Sequence, residues 1–327
     1  MKVLVIGGTQ FIGRLLVAEL LKSKHDVTVL HRKRRYGLSK SVANLAADRN
    51  DPDAMRRVLA GNRFQAVFDN VYDMERGTTG TQVEATALAC GDHLERYVFT
   101  SSVAAYGDGL NHIEDAPLAP DTHPNVYARN KAMSERALFR LHQSNKFPAV
   151  TFRPPYVYGP YNQWYREAFF WDRIRSKRPV IIPGDGTRLM QFVFVRDLVA
   201  AMVRALSVPA AVGQAFNIGH LRAVTQVEFI RELGRAAGKT PVLAHIPRER
   251  ILEAVAQPGQ QGLYFGQFLD LPPITEKVGK VQRVLGVRPS AFATSLGETY
   301  RWYARQPRRK ADFRFEDGLL RSATTTV

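Results

Sequence analysis

Short apolar runs alternate with amphipathic stretches along the first half of the chain. Lys2–Ile6 is an unbroken apolar run rich in β-branched residues, the pattern of a strand buried on both faces. Gly7 and Gly8 interrupt it. From there Phe11, Ile12, Leu15, Leu16, Ala18 and Leu20 recur at helical spacing. Further strands are expected over Asp26–Leu30, Leu45–Ala47, Ala66–Asn70, Arg96–Ser101 and Ala149–Arg153, with helices over Asp53–Leu59, Thr78–Cys90 and Tyr127–Gln143. Pro52 followed by acidic Asp53 marks one helix start. This alternation implies right-handed βαβ crossovers and one parallel sheet, an α/β architecture with ligands at the C-terminal strand ends. Those ends carry the glycine turn, His31, Arg32, Asp48, Asn70 and Ser101–Ser102.

Tyr106–Pro124 reads as a polar, proline-containing loop. From Pro154 the texture changes to PPYVYGPYNQWY, rich in proline, glycine and aromatics, as suits a ligand-side loop. A helix is expected over Glu167–Ser176, and Val180–Gly186 ends in a glycine turn. Gln191–Val195 and Ala215–Ile218 read as core strands around a helix at Arg196–Leu206, followed by helices near Thr225–Ala237, Pro247–Ala256 and Ile274–Leu285. The tail beyond Gln306, closing in SATTTV, is expected to be loosely ordered.

Composition narrows the class. The 327 residues, 45% hydrophobic, suffice for a sizeable core plus a smaller appended domain, which excludes global disorder. A single cysteine, Cys90, forbids an internal disulfide, suits a reducing cytoplasm and sits in an apolar helical pattern as a core residue. With a strand starting at Lys2 and no run of membrane-spanning length, the chain reads as soluble and cytoplasmic, with neither signal peptide nor membrane contact. The net charge of +16 is partly gathered in HRKRR (His31–Arg35) and QPRRK (Gln306–Lys310). Such a field attracts phosphate-bearing ligands, whether cofactor, nucleotide-linked substrate or nucleic acid. The C-terminal cluster reads as solvated surface, whereas the first lies at a strand end among the ligand-side candidates.

Strand, glycine turn and helix over Met1–Gly13 (MKVLVIGGTQFIG) form a place where helix N–H groups meet a phosphate, unless the glycine pair is incidental to an ordinary βα unit. Gln10 stands where a dinucleotide fingerprint has its middle glycine; a left-handed backbone there costs about 1 kcal/mol relative to glycine. Tyr127 and Lys131, four apart in VYARNK, share a helix face. The cation is expected to favour phenolate and lower the tyrosine pKa from ~10, making Tyr127 an acid/base for hydroxyl–carbonyl interconversion. Ser102, at a strand end, either hydrogen-bonds the reacting oxygen or caps the strand. His112 and His123 read as loop surface without metal-ligand spacing, and Glu114 and Asp115 as solvated charges. Trp164, Tyr165, Phe169, Phe170 and Trp171 read as aromatic core.

These pieces together resemble the extended short-chain dehydrogenase/reductase superfamily, the NAD(P)-dependent epimerase/dehydratase group. The matching segments are GGTQFIG (Gly7–Gly13), Asp48, TSSVAAYG (Thr100–Gly107), YARNK (Tyr127–Lys131), RPPYVYGP (Arg153–Pro160), PGDG (Pro183–Gly186), FVFVRD (Phe192–Asp197) and FNIG (Phe216–Gly219), in the family's order over roughly residues 1–300. The resemblance implies a Rossmann-type doubly wound parallel sheet with a smaller α/β C-terminal substrate domain. It places a dinucleotide-binding domain at 1–152 plus about 191–219, a substrate domain at about 153–190 plus 220–306, and a tail at 307–327. Tyr127 would be the catalytic acid/base, Lys131 would hold the nicotinamide ribose and tune Tyr127, and Ser102 would bind the reacting oxygen. Gly7, Gly8, Thr9, Gln10, Phe11, Ile12 and Gly13 would cradle the pyrophosphate, Asp48 would approach the adenine, and Asn70 belongs to the same rim. The expected activity is hydride transfer at a hydroxyl or carbonyl carbon of a sugar or nucleotide-sugar. Family members often dimerise through helices matching Thr78–Cys90 and Tyr127–Gln143, so a homodimer is expected.

Departures refine this. NAD-binding members usually end the second strand in an acid, but here His31, Arg32 and Lys33 follow, with no carboxylate for the ribose and cations suited to a 2′-phosphate. NADP is therefore favoured over NAD, with Arg14 as a further candidate contact. Met190 occupies the place of a diphosphate-binding arginine, with Arg188 as the substitute, and Pro155 and Tyr156 stand where several members carry asparagine. Ser102-Val103-Ala104 lacks the acidic pair of a 4,6-dehydratase, which favours an epimerase or reductase. GGTQFIG, VFDN (Val67–Asn70) and WDRIRSKRPVIIPGDG (Trp171–Gly186) look most like the branch of chloroplast stem-loop-binding proteins and their bacterial relatives. Plant members are RNA-associated, though this chain shows no RNP motif and keeps the Tyr-x-x-x-Lys pair that those relatives do not reliably retain. Reduction of a small carbonyl metabolite with NADP, and RNA binding on a retained fold, are the alternatives.

Overall fold

In the computed structural model, which describes residues 1–32, 39, 41–257 and 265–324, the apolar runs of the N-terminal half become strands of one sheet. The elements are β1 (Lys2–Ile6), α1 (Phe11–Lys22), β2 (Asp26–His31), β3 (Ala43–Ala46), α2 (Pro52–Leu59), β4 (Ala66–Asp69), α3 (Gly80–Ala89), β5 (Arg96–Thr100), β6 (Gly109–His112), α4 (Val126–Asn145) and β7 (Ala149–Arg153). With the strand Gln214–Asn217 they give seven parallel strands, ordered Gln214–Asn217, β7, β5, β4, β1, β2, β3. This is the Rossmann-type doubly wound arrangement, whose order reverses between β1 and β4.

Alternation along the strands divides the core. Leu4, Ile6, Val67, Tyr97 and Phe99 pack with Met55 and Leu59 of α2, Val83 and Ala87 of α3, and Leu138 and Leu141 of α4. The intervening residues Val3, Val5, Phe68 and Val98 are equally buried and point to the other face. There α1 packs beside the helix Val195–Arg204. Local signals set the helix starts. The Asp51 carboxylate accepts the N–H groups of Asp53 and Ala54 at 3.0 Å ahead of Pro52, and the Asn125 side chain accepts those of Tyr127 (3.0 Å) and Ala128 (3.2 Å).

Two compact units result: Met1–Val157, Gln191–Leu221 and Ile274–Ser290 in the first, and Tyr158–Met190, Arg222–Pro273 and Ala291–Val327 in the second. In the first, Ile274–Glu276 is a strand, not the start of a helix, and pairs in parallel with β6; a helix follows only at Gly279–Leu285. β6 lies inside the segment expected as a loop, so each strand was hidden until the other paired with it. Glu114 departs from a solvated charge: its Oε1 accepts the Asn217 N–H at 3.1 Å and its carbonyl accepts Arg153 Nη1 at 2.8 Å.

The second unit carries small two-stranded sheets, Leu189–Met190 with Val224–Thr225 and Val180–Pro183 with Leu243–Ile246. Phe169, Phe170 and Trp171 are buried as expected, and Trp171 Nε1 donates to Leu233 O at 3.0 Å, while Trp164 is exposed. Looseness was expected of the tail, but its described part is ordered from Arg314 to Thr324, with residues 325–327 outside the described residues. Arg314–Thr324 is a helix with Phe315 and Leu319 buried, its Glu316 pairing with buried Arg173 at 2.5 Å and its Asp317 pairing with Arg178. Apolar anchors and ion partners so far along the chain leave no local periodic trace. No helix among the described residues is long and apolar enough to cross a membrane.

Candidate active site

Parallel pairing in register puts Ile6 beside both Leu30 and Asp69, and Asp69 beside Phe99, so β1, β2, β4 and β5 end on one rim. At the centre, Gly7 turns the chain with φ 84°. A Cβ on Gly13 would land on the Gly7 carbonyl oxygen, and one on Gly8 would lie 2.8 Å from Val29 Cγ2. The turn therefore joins strand to helix with no side chain between them. Gln10 is extended (φ −132°, ψ 153°) instead of left-handed, and the positive φ falls on Phe11 at 38°. Gln10 is exposed, it makes no side-chain cap, and the first turn of α1 holds no acid. Among the described residues the first N–H groups of α1 thus lack a side-chain acceptor, and they carry the positive end of the helix dipole. Thr9 and Ile12 lie half-buried in the same turn.

At the outer strand ends the expectation of free cations changes. His31 is buried and its Nε2 lies 3.0 Å from Asn44 Oδ1 on β3. Arg32 is exposed and lies 3.8 Å from Asp73 Oδ2, so a carboxylate does reach this corner, from the loop after β4. Arg76 of that loop donates to Asp73 through Nε (2.8 Å) and to both Asp48 oxygens through Nη2 (3.1 and 2.8 Å). Burial pushes the Asp48 carboxyl up, but the Asn50 N–H and Arg76 outweigh it and hold the group below the usual carboxylate range. Asp73 is held down at about 2, chiefly by the backbone N–H and side chain of Arg76. Lys33, Arg34 and Arg35 of the basic cluster lie outside the described residues.

Where β5 ends, α4 brings the acid–base candidates together. The Tyr127 phenol lies beside the Ser102 hydroxyl, whose Oγ accepts the Ala104 N–H at 3.2 Å. Tyr127 packs edge-on against Tyr72 with ring centroids 4.7 Å apart. Lys131 is buried, donates from Nζ to Thr100 O at 2.6 Å, and lies 5.8 Å from the Tyr127 ring centroid and 4.8 Å from that of Phe99. The expected lowering of the tyrosine pKa is reversed here. Burial pushes the Tyr127 phenol up, with a further rise from Tyr72 and only a partial offset from the neighbouring Ser102 hydroxyl, while the Lys131 ammonium donates to the Thr100 carbonyl. Burial likewise pulls Lys131 down to about 8. Asn70 completes the rim: its Oδ1 accepts Thr100 Oγ1 at 2.5 Å, while its buried Nδ2 has no partner among the described residues.

Two buried ion pairs that sequence reasoning missed hold this rim. Arg49 Nη2 meets Asp69 Oδ2 at 2.5 Å, with Tyr97 Oη donating to the same oxygen at 2.8 Å, and fixes the residues flanking Asp48 and Asn70. Glu135, one turn beyond Lys131 on the same face, accepts Arg153 Nη2 at 2.7 Å and Ser101 Oγ at 2.5 Å. The available signals were the four-residue spacing Tyr127–Lys131–Glu135 and an arginine ending an otherwise apolar strand. Of the substrate-side candidates, Tyr156 lies in the first unit, its N–H donating to Gln191 O at 3.2 Å. Arg188 lies in the second unit and pairs with Asp270 (3.3 Å), donating to its carbonyl at 2.5 Å.

The residues present fit a dinucleotide: a turn that a Cβ would fill, uncapped helix donors, and an orphaned amide donor at Asn70. The profile of the NAD dependent epimerase/dehydratase family matches residues 3–219. The chain is 29% identical to the chloroplast stem-loop binding protein of 41 kDa b of Arabidopsis thaliana, over 98% of this chain and 84% of that one. It is 26% identical to a dTDP-glucose 4,6-dehydratase of an Actinoplanes species, over 93% of this chain and 98% of that one. The solved UDP-glucuronic acid 4-epimerase of Bacillus cereus, in complex with UDP-glucuronic acid and NAD, matches with TM-score 0.71 at 20% identity, covering 93% of this chain and 99% of that one. That last likeness is one of fold.

Proposed function

The chain belongs to the NAD dependent epimerase/dehydratase family, and on that premise we propose that it interconverts hydroxyl and carbonyl groups on a sugar or nucleotide-sugar, as an epimerase. The observation that carries this is the meeting of Ser102, Tyr127 and Lys131 at one strand end, with the lysine buried and in no ion pair among the described residues. Gly7–Gly13 and the first turn of α1 would hold the pyrophosphate, Asp48 the adenine, and Asn70 with Lys131 the inner part of the cofactor. The nicotinamide, when bound, supplies hydride acceptance and return. Tyr127 holds the proton exchanged with the substrate oxygen, and Ser102 hydrogen-bonds that oxygen. Lys131 would hold the nicotinamide ribose, and its ammonium is the cation that would favour phenolate at Tyr127. Ser102-Val103-Ala104 offers no acidic pair, which favours epimerisation over 4,6-dehydration. Arg32 and Arg76 favour NADP over NAD.

A second reading, NADP-dependent reduction of a small carbonyl metabolite, draws on one observation: Asp270 already engages Arg188, the substitute for a diphosphate-binding arginine. Assaying UDP- and dTDP-sugars beside small ketones, with each cofactor, separates the two. Tyr127→Phe should cut turnover by about 10²–10⁴-fold with the melting temperature kept. Unchanged turnover in that variant would remove Tyr127 from the chemistry. Turnover of ketones alone would leave the reductase reading. A protein that turns over neither class yet binds RNA, unaffected by Tyr127→Phe, would overturn both enzymatic readings.

A further inference from the structure

We propose that Arg76, together with Arg32, forms a two-arginine clamp for the 2′-phosphate of NADP, with Asp73 as the carboxylate that holds both guanidinium groups in place. This rests on the cofactor reading above and assigns the specificity to a residue outside the strand end where sequence reasoning places it. Both guanidinium groups converge on a single atom, Asp73 Oδ2, with Arg76 Nη2 at 2.7 Å and Arg32 Nη1 at 3.8 Å. Asp73 itself is anchored. Its Oδ1 accepts the N–H groups of Glu75 and Arg76, both at 3.0 Å, and its own N–H is 3.0 Å from Thr78 Oγ1. With both oxygens taken, Asp73 has little capacity left for a ribose hydroxyl.

The cations keep donors to spare. The side chains of Arg32 and Arg76 are 67% and 50% exposed, and no hydrogen bond among the described residues engages Arg76 Nη1 or Arg32 Nε. Planar guanidinium groups with unused N–H pairs suit a phosphate's several acceptor oxygens. Arg76 also bridges to Asp48, the carboxylate given above to the adenine, so one side chain links both features of the adenosine end. His31, the other basic residue at that strand end with a described position, directs its Nε2 to Asn44 Oδ1 at 3.0 Å.

The test is direct binding, independent of turnover. NADPH and NADH are titrated by fluorescence, and adenosine 2′,5′-bisphosphate and 5′-AMP by calorimetry, against the full chain and Arg76→Ala, Arg32→Ala and Arg76→Lys. Arg76→Ala should weaken NADPH and the 2′,5′-bisphosphate by roughly 10- to 100-fold, and clearly more than it weakens NADH and 5′-AMP, which lose only the bridge to Asp48. Arg32→Ala should act in the same sense, and Arg76→Lys should recover part of the loss. Equal weakening of both cofactors, or no weakening by Arg76→Ala, would overturn the clamp while leaving the cofactor reading intact. Failure of the unmodified protein to bind either cofactor would overturn that reading and the clamp with it.

Discussion

Replacing Lys131 with methionine should make the ligand-free protein relatively more stable at neutral pH than in alkali. Lys131 is 4% exposed, and burial pulls its ammonium from the ordinary 10.5 to about 8. Since the folded pKa is the lower, the unfolded chain binds the proton more tightly, and the penalty on the native state is complete only below about pH 8. The displacement is worth about 3 kcal/mol, of which about 2 kcal/mol disappears between about pH 7 and pH 9.5. Above the unfolded value the penalty is absent. Methionine carries no such proton and fills a similar volume, so its native state escapes the penalty at every pH. Against that, the variant loses the 2.6 Å hydrogen bond to Thr100 O and the ammonium–ring contacts with Phe99, Tyr72 and Tyr127. Those losses, about 1–3 kcal/mol together, set the offset between the two proteins. Urea denaturation of both proteins across this pH range gives the difference directly, because the other titrating groups cancel in the subtraction. The unmodified protein should gain about 2 kcal/mol on the variant as the pH rises. A flat difference would show that the buried ammonium is compensated in the fold, and the account of Lys131 as a strained charge awaiting a ligand would fail.

Gly13→Ala should cost about 2 kcal/mol or more, because its Cβ would occupy the position of the Gly7 carbonyl oxygen and force α1 away from β1. Urea denaturation and NADPH titration would both register it, and unaltered binding would show that the turn relaxes freely. Arg173→Met should destabilise the second unit by about 3–5 kcal/mol by leaving the Glu316 carboxylate buried without its partner. Thermal melts would show this, and adding Glu316→Gln should restore part of the loss, whereas additive losses would argue against coupling.

How much was readable depended on whether the interaction was local. The glycine turn, the strand ends and the Tyr127–Lys131 spacing are carried by neighbouring residues, so sequence alone located them. Glu135 sits in the same helical series but went unnoticed, because its need for Arg153 arises only when β7 lies beside α4. The helix expected over Ile274–Leu285 became strand and helix because Ile274–Glu276 found β6, a partner far away in the chain. Looseness was expected of the tail because its apolar anchors and ion partners are distant.

The sequence by itself determined the seven strands of the central sheet and most of the helices, since runs of apolar residues and helical patterns are properties of adjacent residues and survive without a fold. Only the tertiary structure decided the electrostatics of the site. Whether a cation is available depends on which carboxylate or carbonyl folding brings to it: Lys131 is turned to Thr100, and Arg32 and Arg76 gather around Asp73. A charge's environment is a matter of distance and burial in three dimensions, and linear order records neither.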